Sequence, residues 1–133
     1  MKGSTMIIAG VFFSSILNLF GRAQTDPDKE INMSEFMQKY QNDSTLVVLD
    51  VRTTEELSGS LGKLDGIVHI PIQQIEKRIN ELYKYKESEI AVICRSGNRS
   101  NTVTRILREK GFNAKNVLGG MSEYRRVEKK SSE

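Results

Sequence analysis

IAVICRSGNRSNTVTRILREKG, residues 90–111, passes through three kinds of local order in succession. Ile90-Ala91-Val92-Ile93 is an unbroken apolar run with β-branched residues, as a strand covered on both faces requires. It runs straight into Cys94, the one cysteine of the chain, and then into a small polar stretch, Arg95-Ser96-Gly97-Asn98-Arg99-Ser100. From Ser100 to Lys110, Val103, Ile106 and Leu107 recur at helical spacing, and Gly111 stands where a helix C-terminus favours a glycine. A strand, a tight loop and a helix in that order are the unit from which parallel sheets are wound.

The same order extends outward from this stretch. Phe36, Met37 and Tyr40 predict a helix over 33–41 capped by Asn32 or Ser34, and Thr45 to Val51 (TLVVLDV) reads as a second buried strand. Thr53 to Leu57 predicts one helical turn, and Ser58 to Gly66, with three glycines, a loop. Ile67 to Ile70 is a short strand ended by Pro71, and residues 73–85 predict a helix with Ile75, Ile79, Leu82 and Tyr83 on one stripe. Val117-Leu118 closes the sheet, Gly119-Gly120 turns, and 121–127 adds a last helical turn or two. The expected fold is α/β, a small parallel sheet with helices on both faces. In such sheets ligands bind beyond the carboxyl ends of the strands, which is where Cys94 falls.

Composition fits this reading: 133 residues, 38% hydrophobic and 28% charged, are ordinary for a globular chain. The N-terminus stands apart. Lys2 precedes an almost uncharged stretch, Met6 to Phe20, and Gly21-Arg22-Ala23 follows. About 15 apolar residues are fewer than the roughly 20 of a spanning helix, and small residues at 21 and 23 suit a signal peptidase, so residues 1–23 are expected to be a signal peptide. An uncleaved membrane anchor is the rival, and a buried core helix the third reading. On the first, the protein is exported, periplasmic or extracellular; on the second it is held to the membrane by residues 6–20. Residues 24–31 are then a polar lead, 32–127 the domain and 128–133 a polar tail.

Without residues 1–23 the formal charge falls from +3 to +1 through loss of Lys2 and Arg22. No basic run interleaved with aromatics occurs, so a nucleic-acid partner is not supported. One cysteine and one histidine cannot make a four-ligand metal site, and no Gly-x-Gly-x-x-Gly implies a nucleotide cofactor. One cysteine also makes no intrachain disulfide, so its thiol needs another explanation.

A thiolate is the reactive form of cysteine and needs help to exist at neutral pH. Three kinds of help are in reach: the backbone N–H groups of Arg95 to Ser100 curling into an anion nest around Gly97, the positive end of the following helix, and the charges of Arg95 and Arg99. The alternative, a buried inert cysteine at a strand end, is common for this residue. Two following arginines argue against it, because an apolar core site does not call for them.

Four segments in order resemble the single-domain rhodaneses, a family of sulfurtransferases. CRSGNRS at 94–100 is similar to that family's active-site loop; Leu49-Asp50-Val51-Arg52 with Glu55-Glu56-Leu57 resembles its LDVR…EEF segment. Gly66-Ile67-Val68-His69-Ile70-Pro71 resembles part of GHIPGAxxIP, and Val117-Leu118-Gly119-Gly120-Met121 with Tyr124 resembles LxGGxxxW. The matches span about residues 32–126. The sequence departs from the pattern around Lys63, where a histidine is usual, in a 58–61 connection about two residues longer, and at Tyr124, where a tryptophan is common.

The resemblance implies a persulfide chemistry. Cys94 would take the outer sulfur of a small sulfur-containing anion such as thiosulfate and pass it to cyanide or a thiol. Arg95, Ser96, Gly97, Asn98, Arg99 and Ser100 would form the binding loop, the two arginines holding the donor's sulfonate end or steadying the loop. It further implies that Asp50 and Arg52 form a supporting ion pair, two ordinary exposed charges being the alternative, and that His69 is a packing or hydrogen-bonding residue rather than a base. No cofactor and no metal are implied. A non-turnover persulfide carrier or sensor working with a protein thiol partner is the second reading. Cysteine phosphatases use Cys-x5-Arg; here four residues separate Cys94 from Arg99, so the loop amides are expected to close around a single sulfur atom.

Overall fold

The computed structural model describes residues 26–133. The expected signal segment, residues 1–23, lies outside the described residues. Among the described residues no helix is long and apolar enough to cross a membrane.

The elements are β1 (Glu30–Ile31), α1 (Met33–Asn42), β2 (Val47–Asp50), α2 (Thr54–Leu57), β3 (Val68–His69), a helical run from Ile72 to Tyr85 whose α-helical part is α3 (Ile75–Arg78), β4 (Glu89–Ile93), α4 (Asn98–Glu109), β5 (Asn113–Val117) and α5 (Gly120–Ser131). The strands form one parallel sheet in the order β1-β5-β4-β2-β3. β4 is central, with Leu49 opposite Val92 and Asp50 opposite Ile93 in its pairing with β2.

Strand side chains alternate between the two faces, and the core divides accordingly. On β4, Ile90, Val92 and Cys94 join Leu49, Ile75, Leu82, Val103 and Leu107 on the face covered by 72–85 and α4. Ala91 and Ile93 point the other way, to Phe36, Met121 and Tyr124 of α1 and α5. Both faces of β4 are thus sealed, which is why its sequence carries no polar alternation. Buried Leu107 and Phe36 are both 0% exposed, so truncation of either to alanine would cost about 2–5 kcal/mol.

The helices begin where local chemistry starts them. Asn32 Oδ1 accepts the Glu35 amide at 2.9 Å and opens α1. Thr53 and Glu56 form a capping box at α2, each side chain taking the other's backbone N–H. α4 opens on Gly97 at φ +108°, two residues earlier than the polar stretch suggests, and buries Ser100, Val103, Thr104 and Leu107.

Four other elements also differ from the expected ones. Glu30–Ile31, read as polar lead, is an edge strand: the Lys29 and Ile31 carbonyls accept the amides of Asn116 and Leu118 at 2.8 and 3.0 Å. β5 starts at Asn113 and ends at Val117, with Asn113 and Lys115 alternating outward while Ala114 and Asn116 turn in. Residues 79–85 wind as a 3-10 helix with three residues per turn, so Ile79, Leu82 and Tyr85 share the packed side while Tyr83 swings out, 51% exposed, onto Phe112. α5 continues to Ser131, past the expected end at 127, carried by good helix formers and the i,i+3 pairs Glu123–Arg126 and Arg125–Glu128, with residues 128–133 in solvent.

Candidate active site

β4 delivers Cys94 to the carboxyl end of the sheet, and the backbone turns there sharply enough to come back at its sulfur. The left-handed Gly97 makes this turn possible. Its N–H lies 3.1 Å from Cys94 Sγ, the Ser100 N–H lies 3.4 Å away, and the Ser100 hydroxyl oxygen 3.1 Å away. The amides therefore meet the sulfur atom itself, as the short Cys-to-Arg spacing predicts. Cys94 is 1% exposed, so a reacting atom must reach it through the mouth of the loop, where Arg95, Ser96 and Asn98 are exposed.

The outside of the loop is pinned by α5. The Met121 and Ser122 amides, free donors at the first turn of that helix, donate to the Cys94 and Arg95 carbonyls at 2.8 and 3.0 Å. This approach demands Gly120, since a Cβ there would lie 2.5 Å from the Cys94 carbonyl oxygen. The Gly119-Gly120 pair, read from sequence as a turn, is thus the seat of the cysteine loop.

Burial pushes the Cys94 thiol up, but in the ionised form hydrogen bonds to the sulfur from the Ser100 hydroxyl and from the Ser100, Gly97 and Ser96 amides outweigh it. The net shift is downward, toward the thiolate. α4, with its N-terminus at the loop, adds its dipole in the same sense.

The two arginines part company. Arg95 stands in solvent at the mouth. Arg99 turns to Glu56 of α2 and holds both carboxylate oxygens, Nη1–Oε1 at 2.6 Å and Nη2–Oε2 at 2.8 Å. Its charge is therefore largely matched by Glu56, whose own carboxyl the Arg99 hydrogen bonds hold down to about 2. Of the two functions considered for Arg99, the geometry favours steadying the loop over gripping an anion.

Asp50 and Arg52 are buried, not exposed, and are joined through Nη2–Oδ2 at 2.8 Å with further contacts from Arg52 Nε. Arg52 Nη2 also donates to the Gly62 carbonyl at 2.8 Å, so the pair grips the 58–66 loop rather than the cysteine loop. His69 Nε2 lies 2.7 Å from the Arg52 carbonyl, and as that oxygen can only accept, the proton sits on Nε2. Tyr124, where the family pattern has a tryptophan, packs with Phe36 and Tyr40 on the sheet face opposite the sulfur. Lys63 is exposed.

Two site residues escaped the sequence reading. Glu56 carried a signal, the Thr-x-x-Glu capping box, but nothing local announces its hold on Arg99. Asn116, in a polar segment of unremarkable composition, is 4% exposed. It accepts the Ser100 hydroxyl at 2.6 Å and donates to the Gly97 carbonyl at 3.2 Å. Only the pairing of β4 with β5 brings it there.

Comparison with known proteins agrees with this geometry. The Rhodanese-like domain profile matches residues 32–126. Two Bacillus subtilis (strain 168) proteins are similar over 96 residues: YrkF, named as a candidate sulfur carrier, at 41% identity over 71% of this chain, and YtwF, named as a candidate sulfurtransferase, at 40% over 72%. The chain spans 50% of the length of YrkF and 89% of YtwF. Among solved structures, a rhodanese-like domain protein from Staphylococcus aureus superposes with a TM-score of 0.65 at 30% identity, covering 72% of this chain and 90% of that one.

Proposed function

The chain belongs to the rhodanese-like domain family, whose relatives here are named for sulfur transfer and sulfur carriage, and on that premise we propose that Cys94 relays a sulfane sulfur from thiosulfate to cyanide or a thiol. The thiolate attacks the outer sulfur of the donor; the donor's S–S bond breaks and sulfite leaves with its electron pair. The product is a persulfide on Cys94. An acceptor such as cyanide then attacks the outer sulfur, thiocyanate departs, and the thiolate is restored. No electrons enter or leave, so no cofactor is required, and the two half-reactions make a ping-pong cycle.

The observation that carries this reading is the sulfur cradle: two amide N–H groups at 3.1 and 3.4 Å from Sγ, a setting for a sulfur anion. Among the described residues, Arg95 is an exposed cation at the mouth, placed to meet the donor's sulfonate. The test is steady-state thiocyanate formation from thiosulfate and cyanide by the full chain and by Cys94→Ser. Turnover abolished by serine is expected; equal turnover in the two proteins would sink the proposal.

A second reading, persulfide carriage to a protein thiol, draws on the 1% exposure of Cys94 and on the sulfur-carrier designation of YrkF. It predicts one rapid turnover of loading followed by slow release to small thiols. Rapid steady-state turnover with small thiols alone would remove it. Export belongs to the same proposal and rests on the sequence of residues 1–23 alone: N-terminal sequencing of the protein recovered outside the cytoplasm should begin at Gln24, and an intact Met1 in a membrane fraction would favour the anchor.

A further inference from the structure

Behind the sulfur runs a chain of buried polar groups that the sulfur-transfer cycle does not itself call for. Ser100 is 0% exposed and Asn116 4% exposed, and Cys94 Sγ, Ser100 Oγ and the Asn116 amide follow one another at 3.1 and 2.6 Å. The orientation of the Asn116 amide is fixed, because its Nδ2 donates to the Gly97 carbonyl at 3.2 Å and the opposite edge, Oδ1, must then face Ser100. Oδ1 can only accept, so the contact at 2.6 Å is made by the hydroxyl hydrogen of Ser100.

A serine hydroxyl has one hydrogen. While Asn116 holds it, Ser100 meets Cys94 with a lone pair, an arrangement that suits a thiol donating its own hydrogen. When the sulfur is an anion, it draws the Ser100 hydrogen to itself, and Asn116 Oδ1 loses the donor that the protein supplies. We propose that Asn116 is a positioning residue that competes with Cys94 for the Ser100 hydrogen, releasing it to the free thiolate and reclaiming it once the charge has moved to an outer sulfur. This rests on the reading of Cys94 as the sulfur acceptor. The consequence is a site biased toward the loaded state: the inner sulfur of a persulfide carries little charge, and Ser100 can return to Asn116 without loss.

The rest of the surroundings stays constant through such an exchange. Arg95 and Arg99 from the loop and α4, Glu56 from α2, Asp50 and Arg52 from β2 and its following loop, and Glu30 from β1 are charged groups around this end of the sheet. Glu30 is the sheet partner of Asn116 and lines the same pocket, while the Asn116 side chain itself hydrogen-bonds to Ser100 and Gly97. The Gly97 carbonyl keeps the Asn101 amide at 3.1 Å even without Asn116, so that loss alone does not free the loop.

The experiment is a titration of the full chain followed by thiolate absorbance in the ultraviolet, which needs no reagent to reach the sulfur; Cys94→Ser supplies the baseline. Asn116→Ala should lower the titration midpoint by about half a unit to one unit, because the hydrogen is now free for the anion. Ser100→Ala should raise it, and adding Asn116→Ala to Ser100→Ala should change nothing further. A merely structural role for Asn116 would not produce a downward shift that depends on Ser100. Should the alanine variant fail to fold, Asn116→Val keeps a strand-forming side chain without the oxygen and carries the same expectation. An unchanged or raised midpoint in the single variant, or an equal drop in the Ser100→Ala background, would overturn the assignment. Absence of thiocyanate formation in the wild type, by contrast, would bear on the sulfur-transfer reading and leave this titration intact.

Discussion

Arg99 and Glu56 face each other fork to fork, with two parallel N–H···O contacts of 2.6 and 2.8 Å linking the first turn of α4 to α2. Glu56 also closes the capping box with Thr53, so one carboxylate ties the segment after β2 to the segment after β4. Its carboxyl is held down to about 2, first by the Arg99 hydrogen bonds. A depressed carboxyl contributes stability that is fully present above its ordinary value and is lost as pH falls through the folded one. Glu56→Gln should therefore lower the melting temperature near neutral pH by about 5 °C, given a partly exposed pair worth about 1 kcal/mol, and the difference from wild type should shrink between pH 4.5 and about 2. Thermal unfolding across that range checks it, and a pH-independent difference would contradict it.

Gly120 sits at φ +58°, and a side chain there would strike backbone, the Cys94 carbonyl oxygen at 2.5 Å and the Arg95 carbonyl carbon at 2.6 Å. Gly120→Ala should cost about 2–4 kcal/mol and slow sulfur uptake at least about ten-fold by displacing the loop amides. Gly66→Ala is the control: at φ +75° with nothing within 4 Å, it should cost only about 1 kcal/mol and leave uptake unchanged. Denaturant unfolding and single-turnover loading distinguish the two.

Arg52 and Asp50 are each 1% exposed at the side chain, and Arg52 also holds the Gly62 carbonyl. Arg52→Met would leave a buried carboxylate without its cation and should destabilise by about 3–5 kcal/mol. Asp50→Leu combined with Arg52→Met should recover part of that loss, since no charge is stranded. Equal destabilisation by single and double variants would show that the ion pair is not what the fold depends on here.

The thiol of Cys94 is lowered although burial opposes it, with Ser100 the first of the groups that overcome burial. Loading from thiosulfate should therefore rise with pH to a plateau whose midpoint lies below that of an ordinary cysteine. Removing a donor to an anion raises its midpoint, so Ser100→Ala should shift the profile up by about one unit and slow loading at pH 7 by about ten-fold. A profile centred at the ordinary thiol value in wild type would count against the cradle.

The parts of the molecule visible in the sequence are those written in short, local patterns. Ile90 to Ile93 has to be a strand sealed on both faces, Val103 and Leu107 with Gly111 have to be a helix and its end, and Cys94 falls between them by contiguity alone. What escaped depends on partners distant in sequence. Glu30–Ile31 is a strand only because β5 offers it hydrogen bonds; Asn116 is a site residue only because β5 lies beside β4. The stripe ending at Tyr83 assumed 3.6 residues per turn, whereas the chain tightens to a 3-10 helix after Ile79 and brings Tyr85 to the packed side instead. Arg99 was legible as a loop residue, but its engagement with Glu56 requires two loops to meet at one end of the sheet.

The most direct measurement is the intact mass of the full chain after brief exposure to thiosulfate and removal of excess donor. A gain of one sulfur atom, absent in Cys94→Ser and reversed by cyanide with release of thiocyanate, is the predicted result. An unchanged mass in the wild type, or the same gain in the serine variant, would contradict Cys94 as the sulfur acceptor.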